Sequence, residues 1–420
     1  MKVTQSLGFK HIWIDSLCIA QDDVEDWRRE SSLMRDVYGN AMLNIAATYT
    51  KDGSEGLFVE RSTRRLKRRY IRTPNKRLLE IHPTRFYEKF IASAPLSSRA
   101  WTFQERYLAH RTLHFSADEL FWECRERMAS EIFPDGFPMS IIHPIHQFPS
   151  RDDLTSWCQT ISIYSKADLT YTSNKMIAIS GVDRNFQERF PDQYLAGLWK
   201  GNLGRQLCWA VQQRDTKPET KPTVYRAPSW SWASTDQPVS WTLLSTIDVS
   251  TCKPNQDVLV RLLYFNSIPV GTDLLGQLKD AKLEFASGPI LKETFFHVYR
   301  LDSKDRYKGF YVHDGSKDFY DADEEFAHCE RLYLPILEHR ERKYGGKLRI
   351  YGLVLKKADI RGKGYCSRIG IFDKAFKKDS YADMMESLSG HDDMFMEESW
   401  YQQVLEPDSR GIKQYSITLI

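Results

Sequence analysis

The chain has 420 residues, of which 41% are hydrophobic and 13% are aromatic. This length exceeds one ordinary core, so we expect two or more domains, and the apolar content excludes a generically disordered chain. Lys and Arg total 59 against 56 Asp and Glu, a net charge of +3. This balance gives no global field for nucleic acid or for an anionic membrane, and we predict no nucleic-acid partner.

Cysteine usage and hydropathy indicate the compartment. The seven cysteines are scattered, without a CxxC pair or a Cys/His spacing typical of zinc, so we expect reduced thiols and no metal site. The first ten residues hold no signal-like apolar run, and no stretch approaches the ~20 apolar residues of a membrane helix. We therefore predict a cytoplasmic protein without a membrane span and without a cofactor.

One local exception to the charge balance is the basic stretch from Arg61 to Arg72. Its composition is compatible with a nuclear signal, a phosphate-binding patch or a solvated basic linker. The linker is the simplest interpretation, and residues 51–77 as a whole read as loop.

The first elements suggest a βαβ unit. His11 to Ile14 is a short apolar run that predicts a buried strand, and Val24 to Asn40 has helical periodicity behind an Asp22/Glu25 capping box. A second apolar run, Met42 to Ala47, predicts a strand parallel to the first. A helical hairpin is the alternative, because short apolar runs are ambiguous.

The middle of the chain alternates helical and strand patterns. A helix is predicted at 97–107, followed by a hairpin of strands at 113–115 and 119–124. Further helices are predicted at 157–164, 175–190 and 194–213.

The predicted secondary structure changes from mainly helical to mainly strand after the proline-rich stretch at 217–228. Trp230 and Trp232 alternate with small residues, which predicts that both indoles share one face of a strand. Later strands are predicted at 258–263, 295–299, 348–355 and 365–372, and the polar segment 373–399 reads as a mobile tail or a surface helix.

These patterns predict an α/β chain in four parts. They are an α/β domain at 1–125, a helical connecting region at 126–220, a β-rich accessory domain at 221–375, and a tail with a terminal strand at 376–420.

The first candidate site follows the predicted first strand. Ligands of open α/β sheets bind beyond the carboxyl ends of the strands, and that position holds the candidate ligand-binding residues Asp15, Ser16, Cys18 and Asp22. Cys18 is more simply a small buried apolar residue than a nucleophile, because spacing identifies no neighbouring base.

Glu30 is the candidate catalytic residue. The helical wheel places it on the apolar face of the predicted helix, where a partly desolvated carboxylate can act as a general base or bind a ribose hydroxyl. The alternative is a structural bond from Glu30 to an arginine or to a backbone N–H.

A second candidate cluster lies on the helix at 97–107. Trp101 and Glu105 are four residues apart, so the indole packs beside the carboxylate, and Arg99 is placed to reach Asp15. Arg99 and Glu105 then either close a ligand site or form a buried ion pair that fixes how the helix docks.

The same segments resemble a known family. Residues 12–19, with Gln21 to Asp23, match the central motif of the fungal heterokaryon-incompatibility (HET) domain, and Pro95 to Glu105 resembles its closing motif. Softer similarities follow at 113–115, 121–124, 228–234 and 368–370.

The resemblance implies a role in fungal self/non-self recognition, in which fusion of unlike hyphae triggers cell death through contact with other death-signalling proteins or through self-association. The domain has been likened to the Toll/interleukin-receptor (TIR) fold, some members of which cleave NAD. That likeness implies an incomplete parallel sheet, with NAD as a substrate and Glu30 as the acid of an NAD glycohydrolase-like activity.

One departure from the family concerns the start. Family members usually open with a strand-and-loop motif ending in Trp-Gly and a helix that runs into Leu-Gly, whereas here Met1 falls just before Leu7-Gly8. The resemblance therefore implies that the first strand and most of the first helix are lacking. An inactive remnant of a HET protein is the third interpretation.

Overall fold

The computed structural model describes residues 1–61, 68–81, 87–138, 155–212, 224–241, 257–271, 273–292, 330–341, 347–358, 362–376, 378–388 and 390–420. The chain divides into two compact units. Unit 1 comprises residues 1–150 and 167–189, and unit 2 comprises residues 151–166 and 190–420. The predicted strand at 295–299 lies outside the described residues.

The α-helices of the described residues are, in chain order, α1 Lys2–Ser6, α2 Asp15–Cys18, α3 Val24–Asn40, α4 Ala100–Leu108, α5 Thr155–Tyr164, α6 Ser180–Arg189, α7 Leu203–Leu207 and α8 Tyr381–Ser387. Shorter 3-10 turns lie at 96–98, 172–174, 177–179, 232–234, 392–394 and 398–400, and a π-helical turn lies at 88–92. None of the helices in the described part of the chain is long and apolar enough to cross a membrane.

The strands of unit 1 are β1 Asn44–Ala46, β2 Arg69–Arg72, β3 Leu78–Ile81, β4 Arg111–Phe115, β5 Leu120–Cys124 and β6 Met128–Ser130. Those of unit 2 are β7 Tyr194–Leu195, β8 Leu198–Trp199, β9 Ala210–Val211, β10 Val239–Ser240, β11 Val260–Pro269, β12 Leu278–Ser287, β13 Leu291–Lys292, β14 Leu332–Glu341, β15 Lys347–Lys357, β16 Tyr365–Phe376, β17 Gln403–Leu405 and β18 Gln414–Leu419.

The main sheet of unit 1 is mixed. Its order is β1-β4-β5-β6, and β1 runs parallel to β4 with Ile45 opposite Leu113, while the other neighbours are antiparallel. The predicted parallel sheet is therefore corrected to a mixed sheet with one parallel pair. The predicted hairpin at 113–124 is present.

The predicted strand from His11 to Ile14 was wrong. These residues pair with no strand in the described structure, and Ile12 is exposed. The carbonyl of Ile14 instead accepts the N–H groups of Leu17 and Cys18 and so begins α2. A four-residue apolar run is compatible both with a strand and with the segment that precedes a helix. Here the hydrogen bonds to the Ile14 carbonyl begin a helical turn instead of a strand pairing. The strand that pairs with β1 is β4, which lies much later in the chain.

Helix α3 confirms the predicted helix, but its cap is one residue later than expected. Asp23, rather than Asp22, accepts hydrogen bonds from the N–H groups of Glu25 and Asp26. This carboxylate accepts hydrogen bonds from two of the N–H groups that a helix start leaves unpaired. Its negative charge also interacts favourably with the positive end of the helix dipole. The inner face of the helix carries the buried residues Ser31 and Met34.

Helices α3, α4 and α6 pack together in unit 1. The fully buried Gln104 of α4 accepts a hydrogen bond from the N–H of Gly181 at the start of α6, at 3.1 Å. A Cβ atom at Gly181 would lie 2.8 Å from that amide oxygen, so glycine permits the close approach. Arg35 of α3 forms an ion pair with Glu188 of α6. These contacts fix α4, which carries the closing motif.

Unit 2 is built on a larger sheet. Its described strands form an eight-stranded sheet in the order β11-β12-β18-β16-β15-β14-β13, with β17 paired to β18. Among the described strands of this sheet, only β16 and β18 pair in parallel. Strands predicted at 258–263, 348–355 and 365–372 are present and longer than expected. The mainly β character predicted for this part of the chain is confirmed.

Two local predictions in unit 2 were wrong, and a third was wrong in part. Residues 194–213 do not form one helix, because two short β pairs flank the single short helix α7. Trp230 and Trp232 are fully buried, but they lie in a turn and a 3-10 helix rather than on one strand. Of the two alternatives for 373–399, a mobile tail or a surface helix, the structure has a helix, α8, but it packs Tyr381 and Met384 into the core of the sheet.

Candidate functional site

The candidate site of unit 1 centres on the carboxyl group of Glu105. This residue lies on α4, in the closing motif, and its carboxyl group shares a hydrogen bond with the hydroxyl of Tyr38 on α3. Helices α3 and α4 pack against each other, so the pair joins the two most specific segments of the sequence. The site therefore rests on helix–helix packing rather than on the strand ends that the sequence predicted.

Two further charges act on Glu105. Burial raises the pKa of Glu105 to about 7, and the negative charge of Asp15 adds to this rise. The hydrogen bond from Tyr38 and the positive charge of Arg99 oppose it. Burial also raises the pKa of Tyr38, with contributions from Glu105 and Asp15, so the tyrosine stays a protonated donor. The raised pKa therefore favours the protonated form of the Glu105 carboxyl group well above the pH at which an exposed glutamate ionises.

Backbone structure fixes where Arg99 and Asp15 stand. Arg99 has extended backbone and caps α4, and residues on both sides of it are bonded to Asp168. The N–H of Ala100 donates to the carbonyl of Asp168 at 2.9 Å, and the N–H of Asp168 donates to the carbonyl of Ser98. Asp15 begins α2, and its carboxylate accepts the N–H of Ser16 at 2.7 Å. The charged groups thus stand on locally constrained backbone.

Aromatic rings frame this cluster. Trp13 packs edge-on against Tyr38 with ring centroids 5.8 Å apart, and Trp27 packs edge-on against Trp101 at 6.0 Å. The first contact packs the segment before α2 against α3, and the second packs α3 against α4. Trp101 was expected beside Glu105, and the structure gives it Trp27 as an aromatic partner.

A second polar network connects α4 to the main sheet of unit 1. Arg106 donates two hydrogen bonds to Glu123, at 2.6 and 2.7 Å, and His114 Nε2 lies 3.0 Å from the same carboxylate. His114 Nδ1 lies 3.0 Å from the hydroxyl of Thr48. Thr48 and His114 are buried. The network therefore links α4 to β4 and β5 and to the end of β1.

Electrostatics define the protonation states of this network. Although burial opposes it, Arg106 and His114 hold the pKa of Glu123 well below its usual range. Burial lowers the pKa of His114, and Arg106 adds to this while Glu123 opposes it. A neutral His114 then donates from Nε2 to the ionised Glu123 and accepts at Nδ1 from Thr48. The hydroxyl of Thr48, the imidazole of His114 and the carboxylate of Glu123 form a chain of hydrogen bonds. Because Thr48 is buried, a substrate cannot reach its hydroxyl, and we interpret this chain as a structural support.

The predicted site residues separate into two groups. Asp15 and Arg99 both act on the carboxyl group of Glu105, and no ion pair joins Arg99 to Asp15 among the described residues. The side chains of Ser16, Cys18 and Asp22 are exposed, and none of them is among the groups that set the Glu105 pKa. The exposure of Cys18 overturns the expectation of a buried cysteine.

Glu30 lies on α3 beside a neighbouring arginine. Its side chain is partly buried, at 19% exposure, and it accepts a hydrogen bond of 3.4 Å from the neighbouring Arg29. It is not among the groups that act on Glu105. The structural alternative weighed for Glu30, a bond to an arginine, is what the described residues show.

Sequence reasoning missed Tyr38 and the His114 network. Tyr38 lies in the predicted helix from Val24 to Asn40, and the hydroxyl of a tyrosine that packs against a core normally requires a partner, which is a usable signal. In β4, Thr112 and His114 are buried at alternate positions, where a core strand usually carries apolar residues. Among the described residues, no cluster of three or more His, Cys, Asp or Glu side chains is arranged to hold a metal ion.

The central and closing motif segments lie in one packed unit of mixed α/β structure. Residues 1–105 match the family described as Heterokaryon incompatibility protein (HET). This part of the chain is therefore a HET domain, and the recognition made from the motifs is confirmed. No curated protein and no solved structure matches the chain.

Proposed function

We propose that this protein promotes a fungal incompatibility response, in which its HET domain triggers growth arrest and cell death after contact between unlike cells. The observation that carries the proposal is the match of residues 1–105 to the HET family, together with the convergence of its two motifs on one cluster. Asp15 comes from the central motif, and Arg99 and Glu105 come from the closing motif. The cluster is the switch or contact point of the response, acting in the cytoplasm with other death-signalling proteins or with a second copy.

Controlled expression in a filamentous fungus tests this proposal. The wild-type protein is expected to arrest growth and to admit a membrane-impermeant dye into the hyphae. Arg99→Gln with Glu105→Gln removes the cluster and is expected to abolish both effects at equal protein level. Glu25→Gln, an exposed carboxylate on α3, serves as the matched control and should behave as wild type. Normal growth with the wild-type protein contradicts the proposal.

A second candidate function is the TIR-like cleavage of NAD, with Glu105 in the role first assigned to Glu30. A carboxyl group with a pKa of about 7 can exchange a proton at neutral pH, which general acid–base catalysis requires. Arg99 beside it offers a cation for a substrate phosphate. The contacts of Glu30 with its neighbour Arg29 favour Glu105 over Glu30 for this role.

Release of nicotinamide from NAD by the purified protein tests the second candidate. Glu105→Gln is expected to abolish release, while Glu30→Gln is expected to retain it. The reverse outcome restores the first assignment, to Glu30. If wild type and both variants are equally inert, the enzyme interpretation fails, and if fungal growth is also unaffected, the inactive-remnant interpretation stands.

A further inference from the structure

A two-stranded hairpin of unit 1 exposes apolar and basic side chains together. Strands β2 and β3 pair antiparallel with Ile71 opposite Leu79, and nearly all of their side chains are exposed. Tyr70, Ile71, Leu78, Leu79 and Ile81 are each between 46% and 60% exposed. A lone hairpin cannot bury a face against itself, so these side chains remain in water unless something covers them.

The register sorts the hairpin into two faces. Since side chains alternate along a strand, Ile71, Leu79 and Ile81 share one face with Arg69. The opposite face carries the pairs Tyr70/Glu80 and Arg72/Leu78. Each face therefore places at least one aliphatic side chain beside an arginine.

The charge of this segment is one-sided. From Arg61 to Leu79 the sequence holds nine Lys and Arg residues and no Asp or Glu, although the whole chain has a net charge of only +3. Among the described residues, Arg61 pairs with Glu131 and Arg68 lies 3.7 Å from Glu80. No described carboxylate lies within salt-bridge distance of Arg69, Arg72 or Arg77. Arginines without a carboxylate partner among the described residues are compatible with an anionic partner.

We propose that the β2–β3 hairpin binds an anionic membrane surface, with its aliphatic side chains in the headgroup region and its arginines on lipid phosphates. Basic residues beside exposed aliphatic groups are the composition that favours interfacial binding. A nucleic acid would satisfy the arginines but would leave Ile71, Leu79 and Ile81 without an apolar environment. A second copy of the same hairpin would bring like charges together, which opposes self-pairing.

Vesicle cosedimentation of the full chain tests this inference. The protein is expected to bind vesicles of phosphatidylcholine that contain about 30% phosphatidylserine, an anionic lipid of the cytoplasmic leaflet. It is expected to bind vesicles of pure phosphatidylcholine weakly. Arg69→Gln with Arg72→Gln is expected to weaken binding roughly 30-fold, since each basic residue near the surface contributes roughly fivefold. Lys10→Gln with Lys363→Gln, two exposed lysines elsewhere, removes the same charge and should change binding less than twofold, roughly.

An aliphatic variant separates the membrane from other partners. Ile71→Ser with Leu79→Ser keeps every charge and is expected to weaken vesicle binding roughly tenfold or more, whereas Leu274→Ser with Val404→Ser, also exposed, should not. The proposal is overturned if wild type does not bind the anionic vesicles. It is also overturned if the aliphatic variant binds vesicles and a single-stranded oligonucleotide as wild type does, which would indicate a polyanion site. Self-association that is lost in this variant, without vesicle binding, would assign the hairpin to a second copy.

Discussion

The two units bury their polar side chains in different ways. In unit 2, buried polar groups bond mainly to the backbone: the indole N–H groups of Trp157 and Trp232 both donate to the carbonyl of Gly197, at 3.0 and 2.7 Å. In unit 1, titratable side chains bond to one another, as in the Glu105 cluster and the Glu123 network. Bonds to backbone fix architecture, whereas coupled titratable groups retain protons that can move. We therefore direct the predictions on proton binding at unit 1.

The largest expected effect comes from breaking the Glu123 network. Arg106→Ala leaves an ionised carboxylate partly buried beside His114, and we expect a loss of about 4 kcal/mol in the free energy of unfolding. Urea denaturation followed by tryptophan fluorescence measures this. Arg28→Ala removes an exposed ion pair with Glu25 and should cost less than about 0.5 kcal/mol. Equal stability of the two variants would show that the network is not a support of unit 1.

The corresponding test in unit 2 is steric rather than electrostatic. A Cβ atom at Gly352 would lie 2.2 Å from the carbonyl oxygen of Leu334 and 2.4 Å from the ring of Phe372. Gly352→Ala is expected to destabilise the protein by about 3 kcal/mol, because the neighbouring strands must move apart. Gly271→Ala, which meets no atom within 4 Å, is the control and should have almost no effect. A tolerated Gly352→Ala variant would contradict the close packing of β14, β15 and β16.

A smaller effect, which depends on pH, is expected at Glu105. Its pKa is raised from 4.5 in the unfolded chain to about 7 in the fold. The protonated form therefore stabilises the fold fully below about pH 4.5, and this contribution is lost as the pH rises through 7. Glu105→Gln cannot ionise, so the stability of wild type relative to this variant should fall between pH 5 and pH 8, roughly. Denaturation curves at several pH values measure it, and a pH-independent difference would contradict the raised pKa.

The smallest of these effects concerns the start of α3. Asp23→Ala removes two hydrogen bonds to the first turn and is expected to cost about 1 kcal/mol. Asp22→Ala, at the position that the sequence favoured, should cost less because Asp22 does not cap the helix. Thermal melts of both variants distinguish them, and a larger loss for Asp22→Ala would place the cap one residue earlier.

The sequence predicted long periodic elements well and short apolar runs poorly. Helix α3 and the strands β15 and β16 were expected, because many residues in each repeat one period. The run from His11 to Ile14 was assigned to a strand, yet pairing depends on a neighbour far along the chain, which a local pattern does not identify. The same holds for β1, whose partner β4 begins more than sixty residues later.

Part of the candidate site was predictable for a physical reason. Glu105 and Arg99 fall in one segment predicted as helix, and the sequence pattern grouped both with Asp15 as candidate site residues. Tyr38 and His114 required tertiary information, since their polar atoms are completed by side chains from other elements. Glu30 was favoured because the wheel located it on the apolar face, but its neighbour Arg29 satisfies it from the same helix.

The central claim is that the two HET motifs build one site around a carboxyl group that keeps its proton near neutral pH. The most direct test is a carbon-13 NMR titration of the Glu105 carboxyl group in the wild-type protein and in Asp15→Asn. We expect a midpoint near 7 in wild type and a lower midpoint in the variant, because the Asp15 charge no longer opposes ionisation. A wild-type midpoint near 4.5, unchanged by Asp15→Asn, would contradict the claim.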